Sequence, residues 1–186
     1  MAWHSMDDDV AYVLLGEEEV QARVRELGKQ ISDDYRDCTE DVILLCLLRG
    51  ASLFFADLAR AMDIPIQFEF MGTSSYGNER KTSGIVRITK DLDTSIADKH
   101  VIVAEDIMDS GLTLSHLRRL LESRNPKSFR ICALLDKPSR READITPDYC
   151  GFIIPDEFVV GYGLDYKGFY RNLPYVGVLK PEIYGE

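Results

Sequence analysis

The 186-residue chain carries 32 acidic against 22 basic residues, a net charge of −10, and 45% of its residues are hydrophobic. That length and apolar content suit one domain with a substantial core, expected over residues 1–186. The charge argues against a nucleic-acid partner or an anionic membrane surface, both of which need a basic face, and no apolar run approaches the roughly 18 residues that span a bilayer.

The first nine residues are acidic, contain Trp3 and lack an apolar core, so no signal peptide is expected. Residues 17–35 place Val20, Val24, Leu27 and Ile31 at spacings of 4, 3 and 4, which predicts a helix with one apolar face. Val42 to Leu48 is a continuous apolar run of strand length, suited to a sheet covered on both sides. Gly50 ends it, and a helix is expected over 51–62. A strand is expected over 64–70, followed by a polar segment, 71–84, with no apolar period. A loop of that length in a compact domain suggests a lid. Residues 85–89 alternate as an exposed strand, 100–105 read as a buried strand, 112–124 as a helix and 129–135 as a buried strand. From Asp148 onward the chain reads as strand and turn, rich in glycine and aromatics. Cys38, Cys46, Cys132 and Cys150 are scattered with no zinc-binding spacing, which points to reduced thiols in the cytoplasm; Cys46 and Cys132 fall inside apolar runs and are expected to be buried. Strand–helix–strand alternation implies a parallel sheet, with ligands at the carboxyl ends of its strands.

The chemistry concentrates in residues 101–114. An apolar strand stops at Glu105 and Asp106, and Asp109, Ser110, Gly111, Leu112 and Thr113 then lead into a helix. A loop feeding a helix N-terminus offers free N–H groups and a positive dipole end, which suit a phosphate. Gly111 permits close backbone approach, and the hydroxyls of Ser110 and Thr113 add donors. Carboxylates beside a phosphate make sense if they face sugar hydroxyls or a divalent metal. The string therefore reads as a site for a phosphorylated sugar with Mg²⁺. No P-loop and no Gly-x-Gly-x-x-Gly string occurs.

This string closely resembles the phosphoribosyl-pyrophosphate (PRPP) signature of the type I phosphoribosyltransferase family. Three further stretches resemble that family's hypoxanthine-guanine branch, in the same order. They are Lys90–Asp93 with Asp98–Val101, Leu135-Asp-Lys-Pro138, and Pro155–Tyr166 with Arg171 beyond. The resemblance covers about residues 10–180. It implies an α/β fold with a central parallel sheet flanked by helices, and a small hood built from the N-terminal segment and about 150–180. It also implies that hypoxanthine or guanine is joined to the ribose of PRPP with release of pyrophosphate.

Carried onto this sequence, the resemblance assigns Glu105 and Asp106 to the ribose hydroxyls and Mg²⁺, and Asp109–Thr113 to the 5-phosphate. Asp109 becomes the general base near the purine's nitrogen 7, a task that suits a carboxylate. Lys137 would donate to the purine 6-oxygen and disfavour adenine. Phe158 would stack on the base, and Val159 would offer backbone groups to its edge. Asp165, counted among the purine-binding residues, would also hold the second, pyrophosphate-bound Mg²⁺, and Arg171 would contact pyrophosphate. Arg49-Gly50 stands where the family usually has Lys-Gly in a pyrophosphate-binding turn that often carries a non-proline cis peptide; arginine keeps the charge but changes its geometry. Ser75-Tyr76 matches the family's lid dipeptide. A homodimer or homotetramer is implied. Two alternatives share the fold: a xanthine- or guanine-preferring sibling, and a PRPP-sensing regulator that binds RNA, which would need a basic face.

Overall fold

The structure is a computed structural model that describes residues 5–75 and 86–185. Its elements in chain order are β1 (Val10–Leu15), α1 (Glu17–Tyr35), β2 (Val42–Leu48), α2 (Ser52–Ala61), β3 (Gln67–Ser75), β4 (Val86–Lys90), β5 (His100–Met108), α3 (Leu112–Glu122), β6 (Ser128–Asp136), β7 (Tyr149–Ile153), β8 (Val159–Val160), β9 (Val176–Leu179) and α4 (Pro181–Tyr184).

The main sheet has the order β4-β3-β2-β5-β6-β7. All neighbours are parallel except β4, which pairs antiparallel with β3 at the edge. The apolar runs read from sequence are buried on both faces because successive side chains point to opposite sides. Leu44, Cys46, Ile102, Ala104, Cys132 and Leu134 pack under α1 and α2, against Val20, Val24, Leu27, Ile31, Phe54 and Leu58. Ile43, Leu45, Val101, Val103, Ile131 and Ala133 pack against Leu114, Leu117 and Leu121 of α3. Leu120, on the same helix, is only half-buried. The helices of the first face meet closely: a Cβ on Gly28 would lie 2.6 Å from the Cβ of Ala61.

A second sheet, β1-β9-β8, is antiparallel and forms the hood from both ends of the chain. Its own buried cluster is Val160, Leu173 and Leu179, flanked by Tyr166, Tyr170, Tyr175 and Tyr184. The acidic N-terminal segment, which had no role on sequence grounds, is hydrogen-bonded into this hood. The Tyr170 hydroxyl donates to Asp9 (2.7 Å), the Tyr175 hydroxyl donates to Asp7, and the Lys180 N–H donates to the Asp9 carbonyl (2.9 Å).

Three expectations need correction. Residues 71–75 are not loop: the strand expected over 64–70 starts at Gln67 and runs on to Ser75, because Gly72–Ser75 pair with Val86–Lys90 of β4. That hairpin also makes the sheet mixed rather than wholly parallel. The strand expected to stop at Glu105 continues to Met108, since Glu105, Ile107 and Met108 pair with Ala133, Leu135 and Asp136 of β6. A polar side chain on a central strand does not break a ladder made of backbone groups. β1 was not anticipated. Of the lid dipeptide, Ser75 ends β3, and Tyr76 lies outside the described residues.

Candidate functional site

The carboxyl ends of β2, β5 and β6 converge on one region, which the hood flanks. β5 delivers Glu105 and Asp106, and the chain then turns through Asp109, Ser110 and Gly111 into α3. Gly111 has φ +77°, and a Cβ there would lie 2.7 Å from Ile145 Cγ2, so both conformation and space demand glycine. The turn is pinned from below. The Ser110 carbonyl accepts the N–H groups of Glu142 (2.9 Å) and Ala143 (3.1 Å), and the Met108 carbonyl accepts that of Lys137 (2.9 Å). Gly111 offers no side-chain cap to α3; the Ser110 hydroxyl accepts the Leu112 N–H at 3.4 Å, a long bond that a stronger anionic acceptor could replace. A cavity of about 120 Å³ lies here, lined by Glu105, Ile107, Met108, Asp109, Ser110, Gly111, Thr113 and Leu114.

The two adjacent carboxyls are electrostatically costly. Burial, aided by the Asp106 charge, pushes the Glu105 carboxyl well above the ordinary carboxylate range. Burial likewise pushes Asp106 up to about 6, although the Ile107 N–H (2.9 Å) and the Arg171 charge oppose the shift. A desolvated carboxyl raised in this way, Asp106 on the larger cleft or Glu105 on the smaller cavity, suits a hard divalent cation that would neutralise it. Among the described residues no group of three His, Cys, Asp or Glu side chains forms a ready-made cage. Mg²⁺ needs none, because it takes one or two carboxylates and completes its shell with phosphates and water. The donor set fits.

Gly50 ties this region to the turn after β2 and to the hood. A Cβ on Gly50 would sit 1.7 Å from Asp106 Oδ2, and a Cβ on Gly163, at φ +101°, would sit 2.0 Å from the Gly50 carbonyl. The Gly50 peptide is thus clasped between the Asp106 carboxylate and the hood. Arg171 closes the chain of contacts: it donates to the Gly163 carbonyl (2.5 Å) and pairs with Asp165 (2.7 Å), whose other oxygen accepts the Gly168 N–H (2.7 Å). Leu48-Arg49 is a cis peptide bond, the form expected of the family turn, and the Arg49 side chain is exposed.

The larger cleft, about 660 Å³, lies between the sheet ends and the hood; its lining includes Asp106, Ile107, Asp109, Lys137, Phe158, Val159, Leu164, Asp165 and Tyr184. Lys137 is 6% exposed, and its ammonium donates to the Glu157 carbonyl with Asp156 3.9 Å away. A buried lysine so fixed presents a donor to the cleft rather than to solvent. Phe158 is 38% exposed, which leaves ring surface for a ligand. Val159 sits in β8, the edge strand of the hood sheet, where the outer backbone groups have no strand partner.

Glu105, Asp106, Asp109, Ser110, Gly111, Thr113, Lys137, Phe158, Val159 and Asp165 line these two adjoining cavities. Arg171 and Gly50 join through the contacts above, and Leu112 opens α3 behind them. Sequence reasoning missed Ile107, Asp156, Glu157, Leu164 and Tyr166, all in quoted stretches, and Arg140, which pairs with Asp156 at 2.8 Å at the cleft wall. Tyr184, far along the chain, gave no signal.

The phosphoribosyl transferase domain model matches residues 14–167. The hypoxanthine-guanine phosphoribosyltransferase of Mycobacterium tuberculosis is 53% identical over 180 residues, 95% of this chain and 89% of the relative. That of Bacillus subtilis is 51% identical over 96% of this chain and 98% of its own. A crystal structure of a Staphylococcus aureus hypoxanthine phosphoribosyltransferase superposes with a TM-score of 0.94 at 46% identity, covering 100% of both chains. With these likenesses extending over nearly the whole sequence, the chain belongs to the phosphoribosyltransferase family and groups with its hypoxanthine-guanine members.

Proposed function

We propose that the protein salvages purines, joining hypoxanthine or guanine to the ribose of PRPP to give IMP or GMP and pyrophosphate, with Mg²⁺. The observation that carries this reading is the position of Asp109 and Ile107. Both line the small cavity at the α3 N-terminus and the larger aromatic cleft, so one carboxylate stands where a phosphorylated sugar and a flat base would meet.

Nitrogen 9 of the base displaces pyrophosphate from C1 of the ribose, through a transition state with positive charge on the sugar. Asp109 accepts the proton at nitrogen 7 and offsets the growing charge. The turn from Asp109 to Thr113 holds the 5-phosphate with backbone N–H groups. Glu105 and Asp106 would hold the ribose hydroxyls and one Mg²⁺, and Asp165 a second; the bound metal would supply charge stabilisation for the leaving pyrophosphate. Arg171 and the Arg49-Gly50 turn receive that pyrophosphate. Lys137 donates to the 6-oxygen, Phe158 stacks on the ring and Val159 meets its edge. Free thiols at Cys38, Cys46, Cys132 and Cys150 support a reducing cytoplasmic setting, and the working form is a homodimer or homotetramer.

An ultraviolet assay with PRPP, Mg²⁺ and hypoxanthine, guanine, xanthine or adenine tests the reading. Turnover of hypoxanthine or guanine, lost on chelation and restored by Mg²⁺, is expected. Turnover of xanthine alone moves the assignment to a sibling specificity, and no turnover with any base rejects it.

A further inference from the structure

We propose that Tyr184 is a positioning residue of the purine site: its ring holds the Phe158 ring in the plane on which the base stacks. The inference rests on the reading of Phe158 as the stacking surface. Phe158 precedes the two-residue strand β8, and its carbonyl is fixed by the Leu179 N–H (2.9 Å). Its side chain is otherwise exposed enough to change rotamer. Two rings hold it. Tyr166 meets it edge-on (5.7 Å between centroids, 88°), and Tyr184 stacks on it nearly parallel (4.8 Å, 21°). Tyr184 also lines the 660 Å³ cleft. A face-on neighbour restricts the ring before the base arrives, so less ordering entropy is lost on binding.

The placement of Tyr184 depends on both ends of the chain. Its helix, α4, is four residues long and too short to persist unaided. The residue before it, Lys180, donates its backbone N–H to the Asp9 carbonyl (2.9 Å) and its ammonium to the Asp8 carbonyl (2.6 Å). Ile183 and Tyr184 then pack on the hood cluster of Val160, Leu173 and Leu179. The acidic N-terminal segment thereby anchors the aromatic ring that backs the base site.

The test is a double-mutant cycle on the full-length protein, reading KM for hypoxanthine, KM for PRPP and kcat in Y184A, Y184F, F158A and the Y184A/F158A pair. Stacking of this kind predicts a threefold to tenfold rise (order of magnitude) in hypoxanthine KM for Y184A, with PRPP KM and kcat within about twofold. Y184F restores the wild-type value, because the ring and not the hydroxyl acts. In the F158A background, Y184A produces no further rise. If Y184A fails to fold, Y184L, which keeps apolar bulk without a ring face, carries the same expectation. An unchanged or lowered hypoxanthine KM in Y184A overturns the proposal, as does a full additional effect in the F158A background. If F158A raises that KM while Y184A does not, only the Tyr184 role falls. If F158A leaves it unchanged, the stacking role of Phe158 falls as well.

Discussion

The main sheet and the hood are held together by different physics, and the site draws a different kind of chemistry from each. The central strands of the main sheet are apolar on both faces and clamped by helices, so Glu105 and Asp106 sit on a frame that tolerates their burial. The hood has three short strands and a small apolar cluster. It relies on tyrosine hydroxyls bonded to aspartates and on left-handed turns at Gly161, Tyr162, Gly163, Lys167, Gly168 and Tyr170. Its seat on the frame is mixed: Leu15, Val159, Leu164, Val176 and Val178 join the apolar cluster beneath α1 and α2, and the Tyr162 hydroxyl donates to Asp57 of α2 (2.6 Å), which also accepts from Gln21 of α1 (2.7 Å). On the proposed reading, Glu105, Asp106, Asp109 and Lys137 stand on the rigid side, while Phe158, Val159, Asp165 and Arg171 come from the softer one, where a ring must be admitted and released.

The largest effect expected on the rigid side is that of Asp109→Ala. Steady-state kinetics should show kcat reduced by about 10²- to 10⁴-fold, while PRPP binding by calorimetry persists. Near-normal turnover would remove Asp109 from the chemistry. Gly50→Ala comes next. Its Cβ would collide with the Asp106 carboxylate at 1.7 Å, so PRPP–Mg²⁺ affinity should drop by about tenfold or more while circular dichroism stays native. Retained affinity would show that the clasp between turn, carboxylate and hood is dispensable.

Between the two regions, Lys137→Gln should narrow the preference for hypoxanthine over adenine by about tenfold, measured as the ratio of kcat/KM values. An unchanged ratio would place base selection elsewhere. The smallest effect isolates the hood. Bonds to Asp9 and Asp7, with burial as the larger cause, push the Tyr170 and Tyr175 hydroxyls up to about 12. A raised folded-state value means these bonds stabilise fully below the ordinary tyrosine range near 10 and are lost as pH climbs through about 12. Tyr170→Phe and Tyr175→Phe should each cost the hood about 1 kcal/mol at neutral pH and little above pH 12. Amide exchange is the measurement, and equal loosening of hood and main sheet would contradict the distinction drawn above.

Much of the frame was legible. The spacing of Val20, Val24, Leu27 and Ile31, and the apolar runs at 42–47 and 131–135, mark elements whose apolar pattern is local, and all of these residues are buried as expected. The PRPP-like string was legible for a related reason: loop, glycine and helix start are neighbours in sequence, so their chemistry is written contiguously. Where pattern failed, the deciding contacts were distant. Gly72–Ser75 look like loop until β4 pairs with them, and Asp106–Met108 look like a loop until β6 extends the ladder.

The amino-acid sequence by itself determined the α/β frame, the glycine turn that opens α3 and the family, because these depend on periodicity and on short contiguous motifs. Only the tertiary structure decided that Gly50 lies between Asp106 and Gly163, that Asp109 borders two cavities, and that Asp9 and Tyr184, 175 positions apart by their numbers, belong to one hood. Such contacts join residues with no local pattern in common, and they exist only once burial of the two apolar faces has folded the chain.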